Sequence, residues 1–303
     1  MKKVVLAADL GGTNLRIAAV DESGEILHLV KRPVPDEVLP EQLVEQIKEM
    51  ADECRPSVNE VEGFSGVAFT APAPIPKDFD GVLTKLPNLP TLVGMNLKAE
   101  LEKLFGLPVN IENDATAAGI GENWIGASRG IDNVVCVTLG TGIGGGLIIN
   151  GEPIRGKDGI GGEIGHVCVE PEGHPCGCGS HGCIEQYASA TAIVRFARES
   201  GMKIETAKDV YDAFKAGNGR ADAVFRSMGR YLGITLASLA NVLNPEMFVI
   251  CGGVTQGWDA FAPHVEAEIK ARAYTAAAIR AKLVKGELGD NAGIIGAARS
   301  AFL

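Results

Sequence analysis

The chain has 303 residues, of which 46% are hydrophobic and 22% charged, a composition typical of a soluble globular protein that is long enough for two domains. Its formal net charge is −10 and it has no long basic run, so we expect no nucleic-acid partner. No apolar run is long enough to span a membrane, and Asp9 interrupts the short apolar start that a signal peptide would need. We therefore expect a cytoplasmic protein without a membrane partner.

The beginning of the chain predicts antiparallel strands. Residues 4–10, 15–20 and 26–30 are apolar runs joined by turns of a few residues, and turns this short indicate hairpins. Apolar positions at helical spacing then predict a helix at residues 40–54. Further along, the predicted elements are a strand at 63–69, a helix at 97–105, a strand at 109–112 and a helix at 115–125.

The opening pattern returns in the middle of the chain. Residues 133–139 predict a strand, 140–146 a glycine-rich turn and 147–150 a second strand. Because both turns contain a Gly-Thr pair, we interpret the two segments as an internal duplication of a hairpin unit. After residue 185 the pattern is mostly helical, with a strand at 245–251 and a final helix at 292–302.

Two hairpin-led halves, each followed by helices, predict an α/β protein of two similar domains that face a central cleft. We expect the smaller domain at residues 1–115, with the terminal segment 292–303 packing back onto it. The larger domain is expected at 116–291.

The glycine turns predict phosphate binding. Gly140-x-Gly142-x-x-Gly145 matches a dinucleotide fingerprint in its letters, but a strand follows where that motif requires a helix. What remains is a hairpin turn whose backbone N–H groups and threonine hydroxyl suit phosphate oxygens, or else a plain tight turn. Two such turns in equivalent places favour phosphate. The residues assigned to the nucleotide are Asp9, Gly11, Gly12, Thr13, Asn14, Gly140, Thr141, Gly142, Gly252 and Gly253.

Two of these assignments have a further physical reason. Asp9 ends the first strand at the first turn, where a carboxylate can hold hydrated Mg²⁺ against phosphates. Gly252 and Gly253 end a later strand, and two residues without side chains let an adenine ring or a ribose approach the backbone. A buried crossing of two backbones would explain this glycine pair as well.

Residues 166–185 contain four of the seven cysteines and three of the five histidines. Cys176, Cys178 and Cys183, together with His166, can supply three thiolates and one imidazole, a closed tetrahedral set for structural Zn²⁺. A disulfide is disfavoured because nothing in the sequence indicates an oxidising compartment. His166 could instead face a substrate, and two carboxylates, Glu163 and Glu185, flank the loop. The alternative metal ligands are Cys168, His174 and His181.

A polar run, Glu112-Asn113-Asp114, stands between a predicted strand and a predicted helix. An Asn-Asp pair can simply cap the helix, but a cap needs one such residue and three polar groups occur in a row. An aspartate beside phosphate-binding turns can also accept the proton of an attacking hydroxyl. In phosphoryl transfer the protein contributes mainly by positioning the reacting groups and neutralising their charge. Asp114 is therefore either part of a cap or the base of a phosphoryl transfer.

These motifs together resemble those of the ROK family of sugar kinases and repressors, which have the ribonuclease-H-like fold of actin and hexokinase. The resemblance extends from Asp9 to the final helix and rests on D-L-G-G-T-N, E-N-D-A, G-T-G-I-G, E-I-G-H and C-G-C-G-S-H-G-C-I-E. It implies that Asp114 is the catalytic base and that His166 binds zinc with the three cysteines. The sugar contacts that it implies are Asn88, Asn113, Asp114, Glu163, His166 and Glu185.

One departure concerns the substrate. Ala71 stands where the family has a glycine in a P-G-P turn near the sugar, so the preferred hexose stays open. The resemblance implies an ATP-dependent kinase that uses Mg²⁺ and phosphorylates the 6-hydroxyl of glucose, and we also expect a homodimer. Fructose, mannose or an N-acetylhexosamine are alternative substrates, and polyphosphate is an alternative donor.

The other branch of the family consists of sugar-responsive repressors with a DNA-binding module before the first strand. Only eight residues precede Asp9 in this sequence, and Asp114 is retained. We therefore expect an enzyme.

Overall fold

The structure is a computed structural model, and it describes residues 3–302 except 36, 58–62, 77, 85, 87, 88, 275 and 277–279. Asn88, one of the predicted sugar contacts, lies outside the described residues. The chain divides into two compact units. The first comprises Met1–Arg129, Pro153–Gly161 and Asn291–Leu303, and the second comprises Gly130–Glu152 and Gly162–Asp290.

The first unit contains a five-stranded sheet of order β3-β2-β1-β4-β5. The hairpins predicted from the short turns are present, since β1–β2 and β2–β3 pair antiparallel. β4 lies parallel to β1, and β5 lies parallel to β4. The strands are β1 (Val4–Leu10), β2 (Asn14–Asp21), β3 (Ile26–Pro33), β4 (Val67–Ala71) and β5 (Val109–Asn113).

The second unit contains a sheet of order β10-β9-β6-β7-β8, which repeats the order of the first. β6 and β7 pair antiparallel, β9 lies parallel to β6, and β10 lies parallel to β9. The duplication inferred from one hairpin therefore extends to the whole sheet. The strands are β6 (Val134–Leu139), β7 (Ile143–Ile149), β8 (Glu152–Pro153), β9 (Met247–Cys251) and β10 (Lys282–Lys285).

Helices accompany both sheets. The helices are α1 (Pro40–Cys54), α2 (Leu97–Phe105), α3 (Asp114–Trp124), α4 (Glu185–Ala188), α5 (Ala190–Glu199), α6 (Ala207–Lys215), α7 (Gly219–Leu243), α8 (Trp258–Arg272) and α9 (Ala292–Phe302). In the described part of the chain, none of them is long and apolar enough to cross a membrane.

α1 illustrates how the apolar pattern builds the core. Leu43, Ile47 and Met50 are buried and recur every three to four residues, so they share one face of the helix. Burying a side chain of this size contributes about 1.5–3 kcal/mol. On the same face, the Sγ of Cys54 lies 3.9 Å from the carbonyl oxygen of Ile17 in β2, and burial raises the pKa of this thiol to about 11.

α9 and α3 approach each other through their backbones. A Cβ atom on Gly296 would lie 1.7 Å from the carbonyl oxygen of Ala117, and one on Gly121 would lie 2.3 Å from that of Ala292. Only glycine fits at these two positions. α3 therefore packs with α9 in the first unit, which extends past residue 115. Our division of the chain at that residue stays a prediction.

The second glycine turn is shorter than the sequence predicted. We expected a turn at 140–146 and a strand from 147, whereas only residues 140–142 form the turn and β7 begins at Ile143. The glycines that follow are strand residues, and a Cβ atom on Gly145 would lie 2.3 Å from the carbonyl oxygen of Gly162. Gly145 is thus required by a close contact between backbones and not by a turn, a distinction that the local pattern does not reveal.

Candidate active site

Asn113 and Asp114 lie where β5 passes into α3. The side-chain oxygen of Asn113 accepts hydrogen bonds from the backbone N–H groups of Ala115 (3.1 Å) and Thr116 (3.0 Å). One Oδ of Asp114 accepts from the N–H of Ala115 at 2.8 Å. Asn113 is therefore the N-cap, and its amide alone satisfies the capping requirement. Capping therefore explains Asn113, while Asp114 lies beside it in the first turn of the helix.

Glu112 is the buried member of the same motif, with a side chain only 3% exposed. Its Oε1 accepts from the backbone N–H of Asn113 at 3.0 Å, and its Oε2 accepts from Nε of Arg155 at 2.9 Å. A second guanidinium nitrogen of Arg155 contacts the same oxygen. A buried carboxylate requires such partners, because its desolvation is otherwise uncompensated. Arg155 is 43 residues from Glu112 and has no local signal in the sequence, so it was not among the predicted site residues.

The first glycine turn lies at the same edge of this sheet. Asp9 pairs with Thr70 across β1 and β4, and Thr70 pairs with Glu112 across β4 and β5. The hydroxyl of Thr70 donates to Oδ1 of Asp9 at 2.6 Å. Because the carboxyl ends of parallel strands meet at one edge of a sheet, the predicted Mg²⁺ ligand and the predicted base lie at that edge.

The turn itself is closed by its own residues. The N–H of Gly11 donates to the carbonyl oxygen of Asn14 at 2.9 Å, and the amide of Asn14 donates to the hydroxyl of Thr13 at 2.9 Å. Gly12 lies between them and is partly exposed. Of the five nucleotide residues predicted from the first motif, Gly11, Gly12 and Thr13 form the turn, whereas Asp9 lies near the end of β1 and Asn14 begins β2.

Ala71, the departure noted in the sequence, is the last residue of β4. It is fully buried and pairs with Asn113 of β5. Ala71 therefore takes part in the pairing of β4 with β5, and the sheet accommodates alanine at this position.

The second glycine turn lies beside the Gly252-Gly253 pair. Gly252 has a φ of +89°, and a Cβ atom there would lie 2.4 Å from the carbonyl oxygen of Leu139. The end of β9 therefore crosses closely over the end of β6, just before Gly140. The backbone crossing that we noted as an alternative is present at Gly252. Gly253, the next residue, lines the same cavity as the turn, and the assignment of both glycines to the nucleotide stays a prediction.

This cavity has a volume of about 180 Å³ and lies within the second unit. Its walls are largely apolar and aromatic with few polar groups, the usual character of a site for a flat ring. The lining residues are Gly140, Thr141, Ala190, Ile193, Ala207, Lys208, Tyr211, Phe225, Gly253, Val254, Gln256 and Gly257.

The helical wall of the cavity was not predicted from the sequence. Tyr211 comes from α6 and Phe225 from α7, and their rings meet edge to face with centroids 6.3 Å apart. The hydroxyl of Tyr211 donates to Asp259 at 2.8 Å, a hydrogen bond that raises the pKa of the tyrosine. Both residues fit the helical periodicity of their segments, so nothing local distinguishes them from core residues.

Contacts from α5 hold the second turn in place. The N–H of Ala190 donates to the carbonyl oxygen of Gly140 at 2.8 Å. The hydroxyl of Thr191 donates to the carbonyl oxygen of Thr141 at 2.8 Å. A Cβ atom on Gly142 would lie 2.8 Å from Oε2 of Glu185. The predicted phosphate turn and a predicted sugar contact are therefore neighbours within the second unit.

His166, Cys176, Cys178 and Cys183 form the predicted ligand cluster, with their ligand atoms all within 4.8 Å of one another. The Sγ atoms of Cys178 and Cys183 are 3.6 Å apart, and Sγ of Cys176 is 3.6 Å from Nδ1 of His166. A tetrahedral zinc with bonds of about 2.3 Å to sulfur and 2.0 Å to nitrogen separates its ligands by roughly 3.5–3.8 Å. The residues fit zinc. Within the described chain, the alternatives Cys168, His174 and His181 do not join this set.

The thiols of the cluster differ in acidity. Burial raises the pKa of Cys183 to about 12 and also raises that of Cys176. A hydrogen bond from the backbone N–H of Ser180 lowers the pKa of Cys178. Because zinc binds thiolates, its binding would displace protons at neutral pH.

His166 lies between the cluster and the two carboxylates. Its Nδ1 is on the side of Cys176, whereas its Nε2 is 3.9 Å from Oε2 of Glu163. Glu185 is on the Nδ1 side, with its Oε1 4.0 Å from that nitrogen and 3.1 Å from the Sγ of Cys176. Since a histidine that binds a metal through one nitrogen keeps the other for a hydrogen bond, this arrangement allows His166 both predicted roles.

Comparison with known proteins gives a consistent answer. The model of the ROK family matches residues 5–301. A glucokinase of Thermotoga maritima is 35% identical, over 98% of this chain and 96% of that protein. A ROK hexokinase from Thermus thermophilus has a TM-score of 0.85 and 32% identity, covering 100% of this chain and 98% of that one. A ROK family glucokinase from Streptomyces griseus, solved in complex with glucose and AMPPNP, has a TM-score of 0.84 and 33% identity, covering 99% of each chain.

Proposed function

Because the chain belongs to the ROK family, with the two-sheet α/β fold that its motifs predicted, we propose that it is an ATP-dependent glucokinase. The geometry of Asp114 carries the mechanistic part of this proposal. Asn113 caps α3 through its amide, so the helix does not need the neighbouring carboxylate as its cap. The glucokinase relatives that match nearly the full chain support the choice of reaction and substrate.

In the proposed reaction, the oxygen of the glucose 6-hydroxyl attacks the γ-phosphorus of ATP. The hydroxyl proton passes to the carboxylate of Asp114, and the bond from the γ-phosphorus to the bridging oxygen breaks. The products are glucose 6-phosphate and ADP. A positioned general base contributes about 10²–10⁴-fold to such a step.

We assign the adenine ring to the cavity beside Gly253, between the second glycine turn and the rings of Tyr211 and Phe225. The glycine turns Gly11–Thr13 and Gly140–Gly142 would hold the phosphates through backbone N–H groups. Asp9, which is half-buried and bonded to Thr70, would hold hydrated Mg²⁺. Bound Mg²⁺ would neutralise charge on the phosphates.

The glucose contacts that we propose are Asn113, Asp114, Glu163, His166 and Glu185. Structural zinc on His166 and the three cysteines would fix the loop from which the last three contacts come. Zinc would bind Cys176 as a thiolate, which no longer donates to Glu185. The Glu185 carboxylate, whose two oxygens are both acceptors, would accept a hydrogen bond from a sugar hydroxyl.

The proposal is tested with purified protein, Mg²⁺-ATP and a panel of glucose, fructose, mannose and N-acetylglucosamine, with polyphosphate as an alternative donor. We expect glucose with ATP to have the highest kcat/KM. A higher value for another hexose would change the substrate and leave the mechanism standing, whereas no transfer to any hexose would refute the function. The homodimer stays a prediction, which light scattering of the purified protein measures.

A further inference from the structure

We infer that Arg155 is a positioning residue for hexose binding, which acts through Glu112 on Asn113 and on the loop at residues 73–76. The inference rests on the proposed function, because it takes Asn113 as a sugar contact. All the contacts that carry it lie within the first unit.

Arg155 forms an ion pair with the buried Glu112. The Glu112 side chain is 3% exposed and that of Arg155 is 30% exposed, so the carboxylate has been transferred out of water and the guanidinium covers it. One carboxylate oxygen receives the guanidinium, and the other receives the backbone N–H of Asn113 at 3.0 Å. Without Arg155, Glu112 would have to move toward water to remain charged. That movement would break its hydrogen bond to Asn113.

The segment that carries Arg155 packs against the loop at residues 73–76. Residues 153–161 belong to the first unit, although the chain on both sides of them belongs to the second. The carbonyl oxygen of Arg155 accepts from the N–H of Gly161 at 2.8 Å, which closes the segment into a loop. Gly159 has a φ of +73°, and a Cβ atom there would lie 2.2 Å from the carbonyl carbon of Ile75. The segment therefore lies directly on the loop at residues 73–76.

The same loop contacts the side chain of Asn113. The amide nitrogen of Asn113 donates to the carbonyl oxygen of Ala73 at 3.3 Å, while its oxygen is occupied by the cap. Nδ2 is therefore the part of Asn113 that can donate to a sugar hydroxyl, and its direction depends on Ala73. The Arg155 side chain thus supports the backbone of Asn113 through Glu112, and the segment that carries Arg155 supports the side chain of Asn113 through the loop. Glu163 follows the segment after one residue, so a loose segment would disturb this sugar contact as well.

Arg32 provides a matched control in the same unit. Its side chain is 34% exposed, close to the 30% of Arg155, and it bonds to two carboxylates, Glu49 and Glu53 of α1. Arg32→Ala therefore removes an arginine with a similar number of ionic contacts, far in sequence from the proposed sugar contacts.

The experiment compares Arg155→Ala, Arg155→Lys and Arg32→Ala with the parent in the full chain. The measurements are KM for glucose, KM for ATP, and Kd for glucose alone by calorimetry. We expect Arg155→Ala to raise KM and Kd for glucose at least tenfold and to leave KM for ATP within twofold. Arg155→Lys should lie between this variant and the parent, because lysine keeps the charge and loses the planar fork. Arg32→Ala should leave all three values within twofold.

Glucose constants within twofold of the parent in Arg155→Ala would overturn the inference, and so would equal rises in KM for glucose and ATP. If that variant does not fold, Glu112→Gln decides. Asn113 and Arg155 donate to different oxygens of Glu112, and glutamine replaces one of these oxygens with an NH2 group that cannot accept. KM for glucose should therefore rise at least threefold, and an unchanged value overturns the inference. If the parent binds glucose without transferring phosphate, the proposed function fails, and the calorimetric comparison still decides the role of Arg155.

Discussion

Replacing Gly296 with alanine should destabilise the first unit by forcing α9 away from α3. The new Cβ atom would lie 1.7 Å from the carbonyl oxygen of Ala117 and 2.5 Å from its carbonyl carbon. Unbonded heavy atoms settle about 3.5 Å apart, so the two helices would have to separate by roughly 1–2 Å. The obstacle is backbone on a helix, which cannot rotate away as a flexible side chain can.

Two opposing terms set the magnitude. Overpacking costs about 1–3 kcal/mol, and a backbone obstacle puts this case at the upper end or above. The better helix propensity of alanine returns about 1 kcal/mol. We therefore expect a net loss of about 2 kcal/mol in the free energy of unfolding, or about 4–8 °C in Tm.

The assay is thermal unfolding followed by circular dichroism. Gly219→Ala is the control, because nothing lies within 4 Å of a Cβ atom at that position of α7. Its Tm should not fall, and the helix propensity of alanine should raise it by up to about 2–4 °C. A Tm for Gly296→Ala equal to that of the parent would refute the close packing of α3 on α9.

Three further predictions concern the proposed chemistry. Asp114→Asn should lower kcat at least about a hundredfold and change the Kd for glucose only a few-fold, because the amide cannot accept the hydroxyl proton; turnover near that of the parent would mean that Asp114 is not the base. The purified protein should contain one zinc per chain, as measured by mass spectrometry of the metal. Cys183→Ser should lose the zinc and have a lower Tm and a higher KM for glucose, whereas Cys168→Ser should retain the zinc. A fully active, metal-free parent would contradict the structural zinc site. Tyr211→Ala should raise KM for ATP about tenfold by removing the stacking surface and leave KM for glucose unchanged, with the 87%-exposed Tyr274→Ala as its control; equal KM values for ATP in both variants would exclude Tyr211 from the nucleotide site.

The elements that the sequence predicted well are those whose signals are local. The helix at Leu97–Phe105 matches its predicted bounds because Asn96 caps its beginning and Gly106, in the left-handed conformation, ends it. The strand at Val4–Leu10 matches because an apolar run ends at a glycine turn. Such signals lie within a few residues of the element that they specify, and they do not depend on the rest of the fold.

In the candidate site, too, the residues with a local signal could be predicted and the others could not. Asp114 and the cysteine loop could be identified because the chemistry is concentrated in short runs of unusual residues, in which the side chains are neighbours in sequence. Tyr211 and Phe225 could not be identified, because an aromatic residue at helical spacing has the same pattern whether it faces a core or a cavity. Gly145 was assigned to a turn because glycine alone does not distinguish a turn from a close approach of two backbones.

By itself, the sequence therefore indicated the family, the duplicated hairpins, the candidate base and the four zinc-ligand candidates, each of which depends on short-range patterns. Only the tertiary structure paired Glu112 with Arg155, seated Gly159 on Ile75 and brought Gly252 against Leu139. These partners are separated by 43, 84 and 113 residues, respectively. Their contacts depend on how strands and segments cross in space, and the physical reason is that burial and backbone distance are properties of the folded chain that no local run of residues encodes.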